Sequence, residues 1–598
     1  MMMKNAIAVA LAAMLFLPMT AAAKWPFSKE EAKGEDKTTP IRVYKLDGEL
    51  REKAGTWDAL GDGGALVFSE LLDAITADAR NSKVETLVFK LGAVSFGPAQ
   101  GEELAAAITM AKKSGKRVLA HFESAELRQL AAIAAADEVH MTPEGSLAIP
   151  GLRVEVSFYK ELLGTLGLEA DIEAVGEFKS AMEPYTRETM SGAARKNLDS
   201  LVDSLFGSFV ESLAAARKLS ADKVKAAIDR GLFTGEEAKK AGLVDKLAYW
   251  PEVIEGASKG KKDSVSLGWP RVKETPEIGS IFDLLKMLGG EEDEVEDTSL
   301  KIALLVAEGP IVEGRDPADL FSDDSVIASE DVLDALHAIE KDDTIKAIVL
   351  RVDSPGGSAL ASDIIWRELA RLNKKLPVVV SMGNVAASGG YYIASAGRKI
   401  FADPTTLTGS IGVFGGKMVY QSMLDKVGVK TVVIGRGQNA GMFSSLARFS
   451  DGERTVLREH MQHTYDTFVN RVAKGRNMSF DAVHKVAQGR VWTGRQAAEV
   501  GLVDKLGGLY DALTEARKLA KLPPDTKVET FPRKKSLMDL FDKNKSASER
   551  IASPSLMSLA RALPRPIAGH AERLAMVVTA LIGERQMLAM MPFALTVR

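Results

Sequence analysis

The chain has 598 residues, 46% hydrophobic and 26% charged, with 77 basic against 81 acidic side chains, seven histidines and no cysteine. That composition excludes wholesale disorder and a multi-span membrane protein, and a net charge of −4 argues against nucleic-acid binding. Without cysteine there is no disulfide, thiolate nucleophile, cysteine-ligated metal or lipoprotein anchor, and the length calls for several domains or a repeat.

Residues 1–23 combine Lys4, an apolar stretch from Ala6 to Thr20 and the small residues Ala21, Ala22 and Ala23. This is the layout of an export signal, shorter than the ~20 residues of a spanning helix. Trp25 and Phe27 follow, so an uncleaved membrane anchor stays open beside a cleaved signal. Polar residues 24–39 read as a linker. Val84–Lys90 has the pattern of a buried strand, and an amphipathic segment spans Ile281–Leu288. The acidic stretch 291–298 reads as a solvated linker. Beyond it, Ile302–Val306, Ala347–Val352 and Val378–Met382 are expected strands, with helices over Glu330–Ile339, Ser362–Leu372, Tyr391–Ala396 and Asp451–Ala473. The stretch Gly435–Gly441 lacks the spacing of a nucleotide loop and reads as a loop beside a groove. Residues 543–598 form an apolar tail in which Ala589–Ala594 is similar to a short export-signal core. The plain expectation for this tail is a helix packed on a rim or neighbour; the sharper one is contact with a membrane or with the protein's own groove.

The chain repeats itself. Phe233–Leu247 recurs as Trp492–Leu506, a shift of 492 − 233 = 259, with nine of fifteen positions identical. At that shift Gly176 falls on Gly435 and Ser220 on Ser479. Upstream, Val84–Lys90 matches Ile345–Arg351, while Pro143 and Gly145-Ser146 are matched to Pro404 and Gly409-Ser410 through a three-residue gap. Copy one therefore spans 40–290 and copy two 299–542. Strands alternating with amphipathic helices imply an α/β fold in each copy, with a largely parallel sheet covered on both faces.

The copies diverge where chemistry is expected. Copy two has Asp353-Ser-Pro-Gly-Gly357 after a strand, and Gly383-Asn-Val-Ala-Ala-Ser-Gly-Gly390 leading into a helix. Ser388, between Ala387 and Gly389 at a helix start, has room for a carbonyl at its Oγ. The N–H groups there, with those of Gly356 and Gly357, are placed for an oxyanion hole; capping alone is the plain alternative. A shift of 261 puts Leu127 opposite Ser388, and Lys179 in copy one falls on Gln438 in copy two. Each copy thus keeps one reactive group and lacks the other. His121 and His140 sit near expected strand ends, His337, His460, His463 and His484 in helices, and His570 in the tail, so none stands in a Gly-rich turn. A lysine among Phe178, Ala181 and Met182 is the alternative base, if desolvation leaves its amine neutral.

Together, Asp353-Ser-Pro-Gly-Gly357, Ala387-Ser-Gly-Gly-Tyr391, Leu407-Thr-Gly-Ser-Ile-Gly412 and Lys179-Ser-Ala-Met-Glu-Pro184 resemble the long, duplicated form of the signal peptide peptidase A (protease IV) family. The resemblance implies a pair of domains of the Clp protease and crotonase type and a Ser–Lys dyad endopeptidase without cofactor or metal. It implies Ser388 as nucleophile, Lys179 as general base, Ser410 holding the amine, and Gly389, Gly356 and Gly357 around the oxyanion. The implied substrates are cleaved signal peptides and other extended apolar peptides at the membrane surface. The implied assembly is a homotetramer at the inner membrane facing the periplasm, or soluble in the periplasm if the signal is removed. Two rival readings are a crotonase-like acyl-CoA enzyme and a non-catalytic ring-forming scaffold.

Overall fold

The computed structural model describes residues 40–53, 66–269, 298–316, 325–532 and 588–590. The expected export segment, the 24–39 linker, the acidic run up to residue 297, the amphipathic stretch 281–288, His570 and the tail apart from 588–590 lie outside the described residues.

Copy one opens with β1 (Ile41–Arg51), β2 (Thr86–Ser95), β3 (Arg117–Glu126) and β4 (Glu138–Ala148), which lie side by side and parallel. The short strand Leu232–Thr234 closes the far edge, antiparallel to β4. Next in the chain, β5 (Glu169–Val175) leaves this sheet. Copy two repeats the plan with β6 (Lys301–Glu308), β7 (Ile345–Ser354), a short β8 (Gly356–Ser358), β9 (Val378–Ala387) and β10 (Leu407–Gly409). Then come β11 (Val413–Val419), β12 (Val491–Thr493) and β13 (Lys527–Phe531). The second sheet runs β12-β10-β9-β7-β6-β13, with β12 alone antiparallel on that path. Six consecutive residues of β6, Ile302–Ala307, are buried, as parallel strands covered on both faces require.

Helices fill the faces: α1 (Pro98–Lys113), α2 (Leu127–Ile133), α3 (Gly192–Arg217), α4 (Ser329–Lys341), α5 (Ala359–Leu372), α6 (Gly389–Ala394) and α7 (Asp451–Arg476). The duplication persists in the termini. Ser191 caps α3 and Ser450 caps α7, each through its side-chain oxygen, and both helices end in a left-handed residue, Lys218 and Asn477. The helix expected over Tyr391–Ala396 begins earlier, at Gly389, because the turn closes immediately after Ser388. His121 and His140, expected near strand ends, stand inside β3 and β4 in paired register, buried, with the His121 ring tilted at 53° to that of Trp250.

Strand register also corrects one match between the copies. Leu147 pairs with Phe233, and Thr408 with Trp492; since Phe233 and Trp492 are equivalent, Leu147 stands opposite Thr408. Ser410 therefore corresponds to Ile149, not Ser146, and no three-residue gap is needed after Pro143 and Pro404. The same register puts Leu127 opposite Ser388, because Glu126 pairs with Ala148 as Ala387 pairs with Gly409.

One buried cluster spans both copies, joining Leu46 and Phe89 of copy one to Ile302, Leu304 and Leu513 of copy two, while a second lies within copy two. Asn197 grips the backbone of Val491 in both directions, at 2.7 and 2.9 Å. Deepest lies Arg351, whose guanidinium donates to Glu52 at 2.8 and 3.0 Å and to Glu103 at 2.7 Å. All three side chains are essentially sealed from water, so the charges must satisfy one another across the junction. A third, mixed sheet contains β8, β11, β5 and the tail strand β14 (Leu588–Met590). Among the described residues no helix is long and apolar enough to cross a membrane.

Candidate active site

β5 belongs to copy one, yet it pairs antiparallel with β11 of copy two over seven residues, from Val175 opposite Val413 to Glu169 opposite Val419. This strand pair carries the end of β5 into copy two. The chain then turns at Gly176, with Lys179 N–H donating to Gly176 O at 3.1 Å and Phe178 N–H to Gln488 O at 2.8 Å. The turn aims Lys179 inward, where only 5% of it is exposed. Ala181 and Met182 are buried beside it, in a cluster with Leu163, Tyr185, Phe414 and Met418.

Ser388 lies between β9 and α6 in a conformation that non-glycine residues seldom adopt, φ 56° and ψ −114°. Its N–H is tied to Gly409 O at 2.7 Å, which holds the strained turn. The Lys179 Nζ reaches Ser388 Oγ at 2.9 Å, Ser410 Oγ at 3.0 Å and Ser410 O at 3.1 Å. Ser410 also has positive φ, 51°, and its N–H donates to Arg490 O at 2.7 Å. Burial pushes the Lys179 ammonium well below the ordinary lysine range. A neutral amine in contact with a hydroxyl can accept its proton, which a solvated ammonium cannot.

The space beside Ser388 is made by missing side chains. A methyl group on Gly389 would stand 2.7 Å from Ser362 Oγ, 3.1 Å from Gly357 N and 3.2 Å from Gly356 Cα. Gly356 N–H donates to Ser354 Oγ at 3.2 Å, so the two expected oxyanion glycines differ, with Gly357 presenting its nitrogen to the start of α6. Copy one has Ser95 and Phe96 at the corresponding positions, and Leu127 and Ile149 in place of Ser388 and Ser410, all three apolar residues buried. Gln438, opposite Lys179, lies in an exposed stretch. The stretch Gly435–Gly441 forms no regular element.

None of the site residues comes from a histidine. Burial holds His121 down to about 4, so it stays neutral, and its Nε2 lies 3.2 Å from Ala248 O. His484 is engaged by Tyr465 at 2.8 Å on α7. Among the described residues no cluster of three or more His, Asp or Glu stands ready for a metal ion. Sequence reasoning missed Gly489, which has φ +78° and whose absent methyl group would lie 2.5–2.6 Å from the backbone and Cβ of Lys179. Its partner in the repeat is Arg230, so the duplication held no pointer to it.

Comparison with known proteins places the chain in a family. The model of peptidase family S49 matches residues 110–264 and again 370–523, and a Clp protease model matches 322–407. The chain is 31% identical to the chloroplastic serine protease SPPA of Arabidopsis thaliana over 470 residues, covering 77% of this chain and 67% of that one. It is 32% identical to Protease 4 of Haemophilus influenzae, covering 71% and 68%. Protease 4 of Salmonella typhi is 29% identical over 93% of this chain and 90% of its own length.

Proposed function

The chain belongs to peptidase family S49 and is a serine protease built from a tandem duplication, and from that premise we propose that it is a Ser–Lys dyad endopeptidase. Family membership sets aside the acyl-CoA enzyme and the inert scaffold. In this reading neutral Lys179 takes the Ser388 proton as Oγ attacks the scissile carbonyl. Gly389 and Gly357, with Gly356 beside them, donate to the oxyanion, and Ser410 orients the amine. The Lys179 ammonium then protonates the leaving amine. Water hydrolyses the acyl-enzyme with Lys179 again as base. The observation that carries the reading is the 2.9 Å contact between a buried, desolvated lysine of one copy and a strained serine of the other.

The proposed substrates are cleaved signal peptides and other extended apolar peptides, met at the membrane surface by an exported protein facing the periplasm. Residues 1–23, with their export pattern, motivate that location, either as an anchor or as a removed signal. We also propose a homotetramer. The duplication supports self-assembly: residues 428–434 are the repeat of β5, yet they lie outside any strand among the described residues, with Val432 86% and Ile434 84% exposed. The repeat of β11, within residues 152–160, is likewise in no strand. Repeating the β5–β11 pair between neighbouring chains would join them head to tail into a ring. The decisive experiment is labelling with a serine-reactive fluorophosphonate. Wild type should label; Ser388→Ala should not, and Lys179→Ala should label far more slowly. Equal labelling of Ser388→Ala would move the nucleophile elsewhere.

A further inference from the structure

β7 and β9 fall out of step just before Ser388. Val352 pairs with Met382 and Ser354 with Ala386, so the single residue Asp353 faces three, Gly383, Asn384 and Val385. The Asp353 carboxylate takes two N–H groups of this bulge: Oδ2 accepts from Asn384 N–H at 3.2 Å and Oδ1 from Val385 N–H at 3.1 Å. The Asn384 side-chain amide donates to the same Oδ2 at 3.2 Å. Its own Oδ1 accepts from Ala99 N–H at 3.1 Å and Gln100 N–H at 3.4 Å, at the start of α1 in copy one. A methyl on Gly97 would collide with that amide, so α1 reaches it only by way of a glycine. Copy one, which lacks the serine, lacks this arrangement. Gly92 stands opposite Asp353, and four residues (123–126) separate Phe122 from Leu127 where copy two has five (383–387) between Met382 and Ser388. The carboxylate also works against the fold. Desolvation, then the charge of Glu52 and, against the pull of Arg351, that of Glu308 push it up to about 7. Stability alone therefore does not account for an acid at this position.

We propose that Asp353 is a positioning residue for the nucleophile: with Asn384 it clasps the bulge of β9, sets Ser388 in register with the Gly356–Gly357 turn, and ties that register to α1 of copy one. This rests on the dyad reading for the role of Ser388, while the clasp itself rests on hydrogen bonds. Asp353 acts on both halves of the site at once. Three residues lead from it to Gly356, and three lead from Val385 to Ser388. Fixing the bulge therefore fixes where Oγ stands against the oxyanion donors, the distance to which catalysis is most sensitive. The contact of Asn384 with α1 makes copy one a support for the nucleophile as well as the source of Lys179.

The test uses the full chain with Asp353→Asn, Asn384→Ala, and the exchange Asp353→Asn with Asn384→Asp. Asp353→Asn keeps the shape and one acceptor oxygen but sets an NH2 group against the donors of Asn384. For an extended apolar peptide, kcat and the rate of fluorophosphonate labelling should fall together by about 10²-fold, with KM within about twofold of wild type. The melting temperature at about pH 8, where the wild-type carboxylate is ionised, should hold or rise, because a charge repelled by Glu52 and Glu308 is gone. Asn384→Ala should cost about tenfold in kcat. The exchange returns a carboxylate to the pair, now at position 384 beside the α1 N–H groups, and should recover part of the labelling rate lost in Asp353→Asn. Wild-type kcat in Asp353→Asn would overturn the proposal, as would a loss of kcat matched by an equal loss of melting temperature. Hydrogen exchange over residues 383–387, read by mass spectrometry, reports the clasp without reference to catalysis: it should quicken in Asp353→Asn, and unchanged exchange would also overturn the proposal. Labelling that survives Ser388→Ala would instead count against the dyad reading.

Discussion

In the proposed dyad mechanism, chemistry turns on the protonation of one amine. Lys179 Nζ must be neutral to accept the Ser388 proton, and burial lowers its pKa well below 10.5. Below that lowered value the ammonium form dominates and the base is lost, so kcat/KM should rise with pH and level off well before the ordinary lysine range near 10.4. A pH–rate profile on a peptide ester checks this, and a limb lying at the ordinary lysine value would contradict the desolvated base. Ser388→Ala and Lys179→Ala should each lower kcat by about 10⁴-fold or more with thermal unfolding unchanged. Ser410→Ala removes the hydroxyl contact at the amine and should cost about tenfold, the worth of a single hydrogen bond. Of these residues, Ser388 and Lys179 stand out in the sequence because each survives in one copy only. Gly489 does not, because its role comes from contact across 310 positions and not from any local pattern.

At the scale of elements, the Lys179 turn is held where three backbone segments meet: the turn after β5, the stretch between β10 and β11, and the turn before β12. They approach so closely that a methyl on Gly412 would lie 2.9 Å from Gly489 Cα and 3.0 Å from Val175 O. Side chains cannot be inserted there without moving the base. Gly489→Ala should therefore strain a left-handed residue and push on Lys179, lowering kcat by ~10²-fold, in line with the cost of misplacing a catalytic group by about an ångström. Steady-state kinetics beside a thermal melt would check it: a normal kcat would show that the turn yields freely. Strand and helix positions were legible because β-branched runs and amphipathic periods are local. The pairing of β5 with β11 was not, because β5 carries the same kind of short alternating pattern whichever edge it joins.

For the whole molecule, the junction between copies is held by a buried ionic cluster. Arg351 faces Glu52 and Glu103, and removing it strands two buried carboxylates. Arg351→Met should destabilise the fold by roughly 3–5 kcal/mol in urea unfolding. A loss under 1 kcal/mol would mean that the acids relax or take up protons. Nearby, burial pushes the Glu102 and Asp353 carboxyls up to about 7. Such raised values work against stability as pH increases. Unfolded, these acids ionise near pH 4, whereas in the fold they hold their protons until about pH 7, so their share of stability declines across that window. Glu102→Gln should flatten the melting temperature's fall between about pH 4 and pH 7; an unchanged slope would assign the effect to other groups.

The sequence by itself determined the α/β class and the duplication and singled out Ser388 and Lys179, because repeats and Gly-rich turns are written in local order. It also carried the reason to look for a lysine, since no histidine falls in a Gly-rich turn. Only the tertiary structure decided that the two residues meet within one chain, that Ile149 and not Ser146 stands opposite Ser410, and that the tail strand lies between β8 and β11. Each of these depends on strand register and edge choice, which are settled by hydrogen bonds between segments hundreds of residues apart.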